Sequence, residues 1–125
     1  TASVRVEELK RGEVWFVRLN RSVGAETWTL TPCLILQMDE INQSGMFETV
    51  LVVPLTTKVP PTENRTEFDV ILPADETGLA RETIALWPLL RAVTPERFQN
   101  RTGMVSPEQL QPIVQYIAQL MGHNS

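Results

Sequence analysis

A single histidine limits the chemistry that this chain could perform. It is His123, which lies in the polar stretch 122–125, where a surface position is expected. A Ser-His-Asp triad, a Cys-His pair, a two-histidine ribonuclease mechanism and most zinc sites require an imidazole inside the fold. Acid–base chemistry must therefore use carboxylates, Arg, Lys, Tyr or water, and we expect no metal ion and no organic cofactor.

The net charge and the cysteine content limit which binding partners and which cellular compartment we expect. The net charge of -4 argues against strong non-specific attraction to nucleic acid, although it is compatible with a local basic groove. Cys33 is the only cysteine and has apolar neighbours, so we expect a buried thiol and no internal disulfide. No run of about 18 apolar residues is present, which predicts no membrane span. We expect a cytoplasmic protein.

Short apolar runs predict the strands that must position any reactive group. Residues 12–19 are rich in β-branched and aromatic residues, and residues 32–38 and 49–55 are nearly continuous apolar runs. Residues 67–72 alternate as a strand does, and residues 82–93 predict one or two further strands. The intervening segments predict loops, turns and one short helical turn: 20–31, 39–45, 56–65, 73–78 and 95–99.

The clearest predicted helix begins at Ser106, where Pro107 suits the first helical position and Gln109 completes a capping box with the serine. Gly122 is expected to end it, and Pro112 should kink it or delay its regular start. Apolar residues at helical spacing form one stripe that is expected to face the sheet or another subunit: Leu110, Ile113, Val114, Ile117, Leu120 and Met121.

Five to seven short strands followed by a terminal helix predict a mainly β fold. We expect a small, strongly curved antiparallel sheet or SH3-like barrel with the helix packed across it. The length of 125 residues and the 42% hydrophobic content fit a single domain over 1–125, with flexible tails at 1–8 and 123–125.

Several short segments, taken in order, carry a resemblance to a known family. They are residues 10–16, 24–26, 32–37, the Pro54-Leu55-Thr56-Thr57-Lys58 element, residues 77–79 and the strand Leu90-Arg91-Ala92-Val93. Each is short, but their shared order and spacing make accidental agreement a poor explanation. From Leu9 to Gly122 the chain resembles the MazF/PemK (Kid) toxins of bacterial type II toxin–antitoxin systems.

Members of this family are typically homodimers with a barrel-like sheet, and they cut RNA at short sequences until a cognate antitoxin blocks the groove. The resemblance therefore implies a CcdB/MazF-like fold, a homodimer and an antitoxin partner. It also implies a toxin that acts as a metal-independent endoribonuclease on single-stranded RNA, with the RNA 2'-hydroxyl as internal nucleophile.

The family resemblance implies two catalytic positions. An arginine just before the proline of the second strand and the threonine of the Pro-Leu-Thr element attend the scissile phosphate in the family. Thr56 matches the threonine, and Thr57 and Lys58 follow it. Thr31 occupies the arginine position and carries no charge, so it cannot replace a guanidinium that neutralises the transition state. Activity is therefore expected to be weakened.

Further candidates for RNA contact lie in or beside the predicted 20–31 loop. Arg18 and Arg21 stand where the family has no cation and could compensate for the lost arginine, but ordinary surface charges are the commoner explanation. Trp28 could stack on a base, cover the barrel mouth or anchor an antitoxin. Glu26 could act as general base, although loop carboxylates are usually only solvated. Arg91 is expected to be structural, paired within the barrel or across a dimer.

Two other functions stay open at this point. Thr31, together with Ala25 and Leu89 in place of polar family residues, motivates a catalytically deficient dimeric module that binds an antitoxin-like peptide or RNA without cutting. A CcdB-like gyrase poison would share the fold class without the ribonuclease site, and only fold analogy supports it.

Overall fold

The computed structural model describes residues 4–20 and 28–123, except for the side chains of Asn20 and Trp28. The strands in these ranges are β1 (Glu13–Asn20), β2 (Trp28–Ile35), β3 (Val50–Thr56), β4 (Ile71–Leu72), β5 (Thr83–Ala85), β6 (Arg91–Val93) and β7 (Phe98–Met104). The helices there are α1 (Asp39–Gln43), α2 (Ala74–Thr77) and α3 (Pro107–Leu120). Short 3-10 turns lie at Val6–Glu8, Thr62–Asn64, Trp87–Leu89 and Pro95–Arg97.

The described strands form one antiparallel sheet that curls into a half-barrel, which confirms the predicted fold class. The order across the sheet is β4-β5-β3-β2-β1-β7, and β6 also pairs with β3. On one edge β3 changes partner along its length, from β6 at Val52 to β5 at Leu55. Two register shifts interrupt the β1–β7 pairing. Such shifts increase local twist and help the sheet to curl.

The sheet buries apolar residues on both faces. One core lies between α3 and the side of the sheet that we call the α3 face; it includes Val14, Leu34, Val53, Leu55, Leu110, Ile113 and Ile117. The other lies on the opposite side, the N-terminal face, and includes Val6, Leu9, Val17, Cys33, Ile35 and Val52. Alternate residues of one strand enter opposite cores, which explains why β2 and β3 are apolar along most of their length.

The segment before β1 differs from the flexible tail expected over residues 1–8. Val6 and Leu9 are only 5% and 1% exposed, and the backbone N–H of Arg5 donates to the Glu8 carboxylate at 3.0 Å. Fully burying two such apolar side chains contributes roughly 1.5–3 kcal/mol each. This burial and the hydrogen bond hold residues 4–9 against the sheet.

Residues 39–45, expected as a hairpin turn, contain helix α1 instead. The reason is Asn42, which is fully buried. Its amide nitrogen donates to the Leu9 carbonyl at 2.9 Å, and its amide oxygen accepts a hydrogen bond from Gln37 Nε2 at 2.8 Å. A buried amide with partners on two sides holds α1 against the chain before β1.

Three strand predictions also need correction. β2 begins at Trp28, inside the expected 20–31 loop, because it continues the ladder with β1 as far as Asn20. The expected strand 67–72 is reduced to β4. The sequence predicted only the turn before β7 and not the strand itself. The reason is that Gln99, Asn100 and Arg101 are polar and exposed, so they give no apolar pattern.

Helix α3 confirms the predicted terminal helix, with Pro112 inside it, but its start differs. The Ser106 side chain makes no capping hydrogen bond, and its backbone N–H donates instead to the Glu76 carboxylate at 2.6 Å. A carboxylate at this end also interacts favourably with the helix dipole. Of the predicted apolar stripe, Val114, Leu120 and Met121 are exposed. No helix within the described ranges is long and apolar enough to cross a membrane.

Candidate functional site

Thr31 and Thr56 stand where β2 and β3 separate. The two strands pair from Ile35↔Val52 to Cys33↔Pro54, and this register extended by two residues sets Thr31 opposite Thr56. By alternation both side chains share the N-terminal face with Cys33. Pro32 brings no backbone N–H to continue the ladder, while β3 pairs onward with β5. We call this place, residues 31–33 and 54–56, the β2–β3 fork.

No described residue accepts the hydroxyl hydrogen of Thr56. Its Oγ1 accepts the backbone N–H of Lys58 at 3.2 Å, and the Val59 N–H donates to the Thr57 carbonyl at 2.8 Å, so the chain turns directly after β3. A hydroxyl has one donor hydrogen and two acceptor positions. The turn uses one acceptor position of Thr56, which leaves the hydrogen available for an incoming oxygen.

Lys58 and Thr57 are exposed at the start of the following loop. Their position directly after Thr56 brings a lysine charge to the same end of β3. Thr56, Thr57 and Lys58 are therefore brought together by one turn.

Thr31 is half-buried and weakly bonded. Its Oγ1 lies 3.4 Å from the Thr29 carbonyl oxygen, which is long for a hydroxyl donor, and its own carbonyl accepts the Cys33 thiol at 3.6 Å. The hydroxyl can therefore turn towards a ligand at little cost, but the position has no charge.

Arg91 supplies a cation on the same face, which the sequence did not lead us to expect. It pairs with Val52 across β6 and β3, so its side chain lies on the N-terminal face. Arg91 is exposed and has no hydrogen bond or ion pair with any residue that the structure describes. The prediction of pairing within the barrel is thus wrong for the described residues.

Arg91 lies beside the fork. Burial raises the pKa of the Cys33 thiol to about 12, and the Arg91 charge opposes that rise. Along β3, the position opposite Arg91 is four residues from Thr56, or about 13 Å at the usual rise of a strand. Arg91 therefore flanks the fork instead of filling the place left by the uncharged Thr31.

Among the other predicted site residues, Arg18 lies away from the fork. Arg18 alternates onto the α3 face, and its guanidinium donates to the Glu96 carbonyl at 2.7 Å. Arg97 in turn donates to the Arg18 carbonyl at 3.3 Å, so this pair links β1 to the turn before β7. Arg21 and Glu26 lie outside the described residues, as does the side chain of Trp28. Nothing in residues 4–20 and 28–123 groups three or more metal-ligating side chains.

Comparison with known proteins agrees with the fold and the motifs. Residues 10–121 match the profile of a family described as PemK-like, MazF-like toxin of type II toxin-antitoxin system. The chain belongs to this family.

A related protein and two solved structures are also similar to this chain. The chain is 31% identical over 105 residues to Endoribonuclease MazF9 of Mycobacterium tuberculosis, covering 82% of this chain and 86% of that protein. A MazE-MazF crystal structure from Deinococcus radiodurans superposes with a TM-score of 0.71 at 19% identity, over 93% of this chain and 97% of the other. An endoribonuclease in complex with its cognate antitoxin, from Mycobacterial species, gives a TM-score of 0.64 at 18% identity, over 94% and 96%.

Proposed function

We propose that this chain is the toxin half of a toxin–antitoxin pair and cuts single-stranded RNA as a metal-independent endoribonuclease. The observation that carries the proposal is the β2–β3 fork, where Thr56 offers a free O–H and two cations, Lys58 and Arg91, lie on its flanks. Membership of the toxin family and the relative named as an endoribonuclease support the same reaction class.

In the proposed reaction the RNA supplies its own nucleophile. A ribose 2'-oxygen attacks the adjacent phosphorus and loses its proton to Glu26 or water, while the bond to the 5'-oxygen breaks and that oxygen takes a proton from solvent. The products are a 2',3'-cyclic phosphate and a 5'-hydroxyl. Thr56 donates to a non-bridging phosphate oxygen, Lys58 offsets the negative charge that builds up there, and Arg91 contacts a neighbouring phosphate. Arg21 and Trp28 would contact the RNA farther from the cut.

The rate is expected to be modest, because Thr31 lacks the charge of the arginine that the family places there. Loss of one preorganised donor costs on the order of 10² to 10³ in rate. Arg91 compensates for only part of this loss in rate, because it lies beside the fork and not at position 31.

Thr56→Ala tests the proposal. It removes the donor hydrogen and should lower kcat for RNA cleavage by about 10² or more. Thr62→Ala is the matched control, since it removes an exposed threonine of the next loop that makes no fork contact. Full cleavage by Thr56→Ala, or equal losses in the two variants, would count against the mechanism.

The proposal includes two partners. Solved relatives include a MazE-MazF structure and an endoribonuclease with its cognate antitoxin, so we expect an antitoxin to bind this chain too. We also expect a homodimer, which light scattering of the purified protein would test by its mass. A mass of one chain at assay concentration contradicts that part.

A second function, binding without cutting, is favoured by the uncharged Thr31. In that case the native protein binds RNA or an antitoxin-like peptide tightly, shows no cleavage, and gains cleavage on Thr31→Arg. Cleavage by the native protein excludes this alternative.

A further inference from the structure

The loop between β3 and β4 has no apolar anchor of its own. Between Leu55 and Val70 no described residue is fully buried, and residues 61–68 are all exposed. Yet the loop carries Lys58 and starts directly after Thr56. An exposed loop of this length samples many conformations unless polar contacts hold it.

Two aromatic side chains from outside the loop hold its far end. The Tyr116 hydroxyl of α3 donates to the Glu67 carbonyl at 2.6 Å, and the indole Nε1 of Trp87 donates to the Phe68 carbonyl at 2.9 Å. The Trp87 and Tyr116 rings stack at 5.5 Å, and the Phe68 ring meets Tyr116 edge-on at 5.3 Å. We call Phe68, Trp87 and Tyr116 the aromatic clamp.

The loop spans from the fork to the clamp. Thr56 and Ile71 pair with opposite sides of Ile84 in β5, so the loop leaves and re-enters the sheet on the two sides of one residue. At the first end the Lys58 N–H bonds to Thr56 Oγ1, and at the second end the clamp holds the Glu67 and Phe68 carbonyls. Arg65 tightens the middle by donating from Nε to the Pro60 carbonyl at 2.9 Å.

The rings of Trp87 and Tyr116 pack against the core of the α3 face, but their polar atoms serve the loop. Helix α3 is already anchored to the sheet through Leu110, Ile113 and Ile117, which are buried. The Tyr116 hydroxyl and the Trp87 nitrogen both donate to loop carbonyls, so removing either one releases the loop. Tyr116→Phe does so with the ring packing kept, whereas Trp87→Phe also reduces the packing against the core.

We propose that Tyr116 and Trp87 are positioning residues for RNA cleavage: they fix the β3–β4 loop so that the Lys58 ammonium stays beside the Thr56 hydroxyl. This inference rests on the proposed ribonuclease function. A lysine held in place before RNA arrives loses less conformational freedom on binding than one on a free loop, and binding is stronger for it.

The test compares Tyr116→Phe and Trp87→Phe with Gln115→Ala, an exposed neighbour on α3 that serves as the control. Hydrogen exchange of residues 57–69 should accelerate in the first two variants and not in the control, with the melting temperature of Tyr116→Phe nearly unchanged and that of Trp87→Phe somewhat lowered. The KM for RNA should rise by about 10-fold in each clamp variant, with a smaller change in kcat. In a Lys58→Gln background the additional effect of Tyr116→Phe on KM should disappear, which a merely structural role would not produce.

Each contrary result is distinct. Unchanged exchange in residues 57–69 overturns the clamp itself. Faster exchange with unchanged KM, or a Tyr116→Phe effect that persists in full without Lys58, overturns its role in positioning. A native protein that cuts no RNA removes the proposed function and this role with it, whereas the exchange data then still report whether the loop is held.

Discussion

Two pairs of threonines lie on neighbouring elements of this protein, and their surroundings differ. Thr77 and Thr102 join α2 to β7: the Thr102 hydroxyl donates to the Thr77 carbonyl at 2.7 Å, and the buried Thr77 hydroxyl accepts the Leu79 N–H at 3.2 Å. Thr31 and Thr56 are half-buried at the fork, and no described residue takes up the Thr56 hydrogen.

Access, and not residue type or unused hydrogen-bonding capacity, separates the two pairs: the hydroxyls of Thr77 and Thr56 each accept one backbone N–H, but Thr77 is buried and Thr56 is half-buried at an open end of two strands. The Thr77–Thr102 pair is also closed by backbone: at Gly78 and Gly103 a Cβ would overlap carbonyl oxygens of the facing segment. The fork is left open by the separation of two strands, and on the same face lies Arg91, which no described residue pairs.

The largest change in the rate of RNA cleavage is expected when a positive charge is added at Thr31. Thr31→Arg places a guanidinium across from Thr56 and should raise kcat for RNA cleavage by about 10² to 10³. Single-turnover cleavage of one RNA by the two proteins measures it. Thr29→Arg puts the same charge on the same face two residues away, and an equal gain there shows that general attraction of RNA is responsible.

A side chain added beside the Thr77–Thr102 pair should lower the stability of the fold. A Cβ at Gly103 meets the backbone of Glu76 and Thr77, which cannot move as a flexible side chain could. Gly103→Ala should therefore lower the free energy of unfolding by about 3 kcal/mol, as measured in urea. Gly45→Ala is an informative control, because its Cβ meets no atom, although its positive φ still costs something. Gly103 has no positive φ, so a loss there no larger than that of Gly45→Ala would contradict crowding by the Glu76 and Thr77 backbone.

Removing the flanking cation should have a moderate effect. Arg91→Gln should reduce kcat/KM for RNA by about 10-fold and weaken its salt dependence, because one phosphate contact is lost. Arg18→Gln serves as comparison, since Arg18 is bonded to Glu96 on the other face. A larger loss for Arg18 than for Arg91 shifts the RNA path to the α3 face.

The elements of the fold could be predicted from the sequence where apolar runs are long. β1, β2, β3 and α3 follow from such runs, because a strand buried on two faces or a helix on one must be apolar there. β7 and α1 were not visible, since exposed polar residues form β7 and one buried amide, Asn42, fixes α1.

Only the part of the candidate site that lies in a recognisable motif could be predicted from the sequence. Thr56 follows from its motif. The apolar neighbours of Arg91 suggested a buried, paired side chain, and only its register with Val52 places it on the face that Thr31 and Thr56 share. The Tyr116 clamp depends on contacts distant in sequence, which no local pattern encodes.

Thr102→Val removes one hydroxyl of the closed pair and keeps the shape of the side chain. The loss of its bond to the Thr77 carbonyl should lower the free energy of unfolding by about 1 kcal/mol, with RNA cleavage unchanged. Urea unfolding and the cleavage assay together measure this. A selective loss of cleavage would mean that this pair, too, belongs to the functional site.

The smallest expected effect appears only in alkali. Because folding raises the pKa of Cys33 to about 12 from an ordinary value of 9.0, the native state holds its proton more tightly than the unfolded state. Its contribution to stability is complete below pH 9.0 and is lost as the pH rises towards 12. Arg91→Gln removes an opposing charge and should raise the thiol pKa further, as followed by absorbance of the thiolate. An unchanged pKa would show that the Arg91 charge does not reach the fork.

The claim that the fork binds the RNA backbone is tested most directly by nuclear magnetic resonance. The ligand is an RNA oligonucleotide with every 2'-hydroxyl methylated, so that it lacks the nucleophile and stays intact. The largest amide shift changes should occur at Thr31, Thr56 and Lys58, while the amides of Thr77 and Thr102 stay unchanged. Saturable binding that leaves the fork amides unmoved would contradict the account.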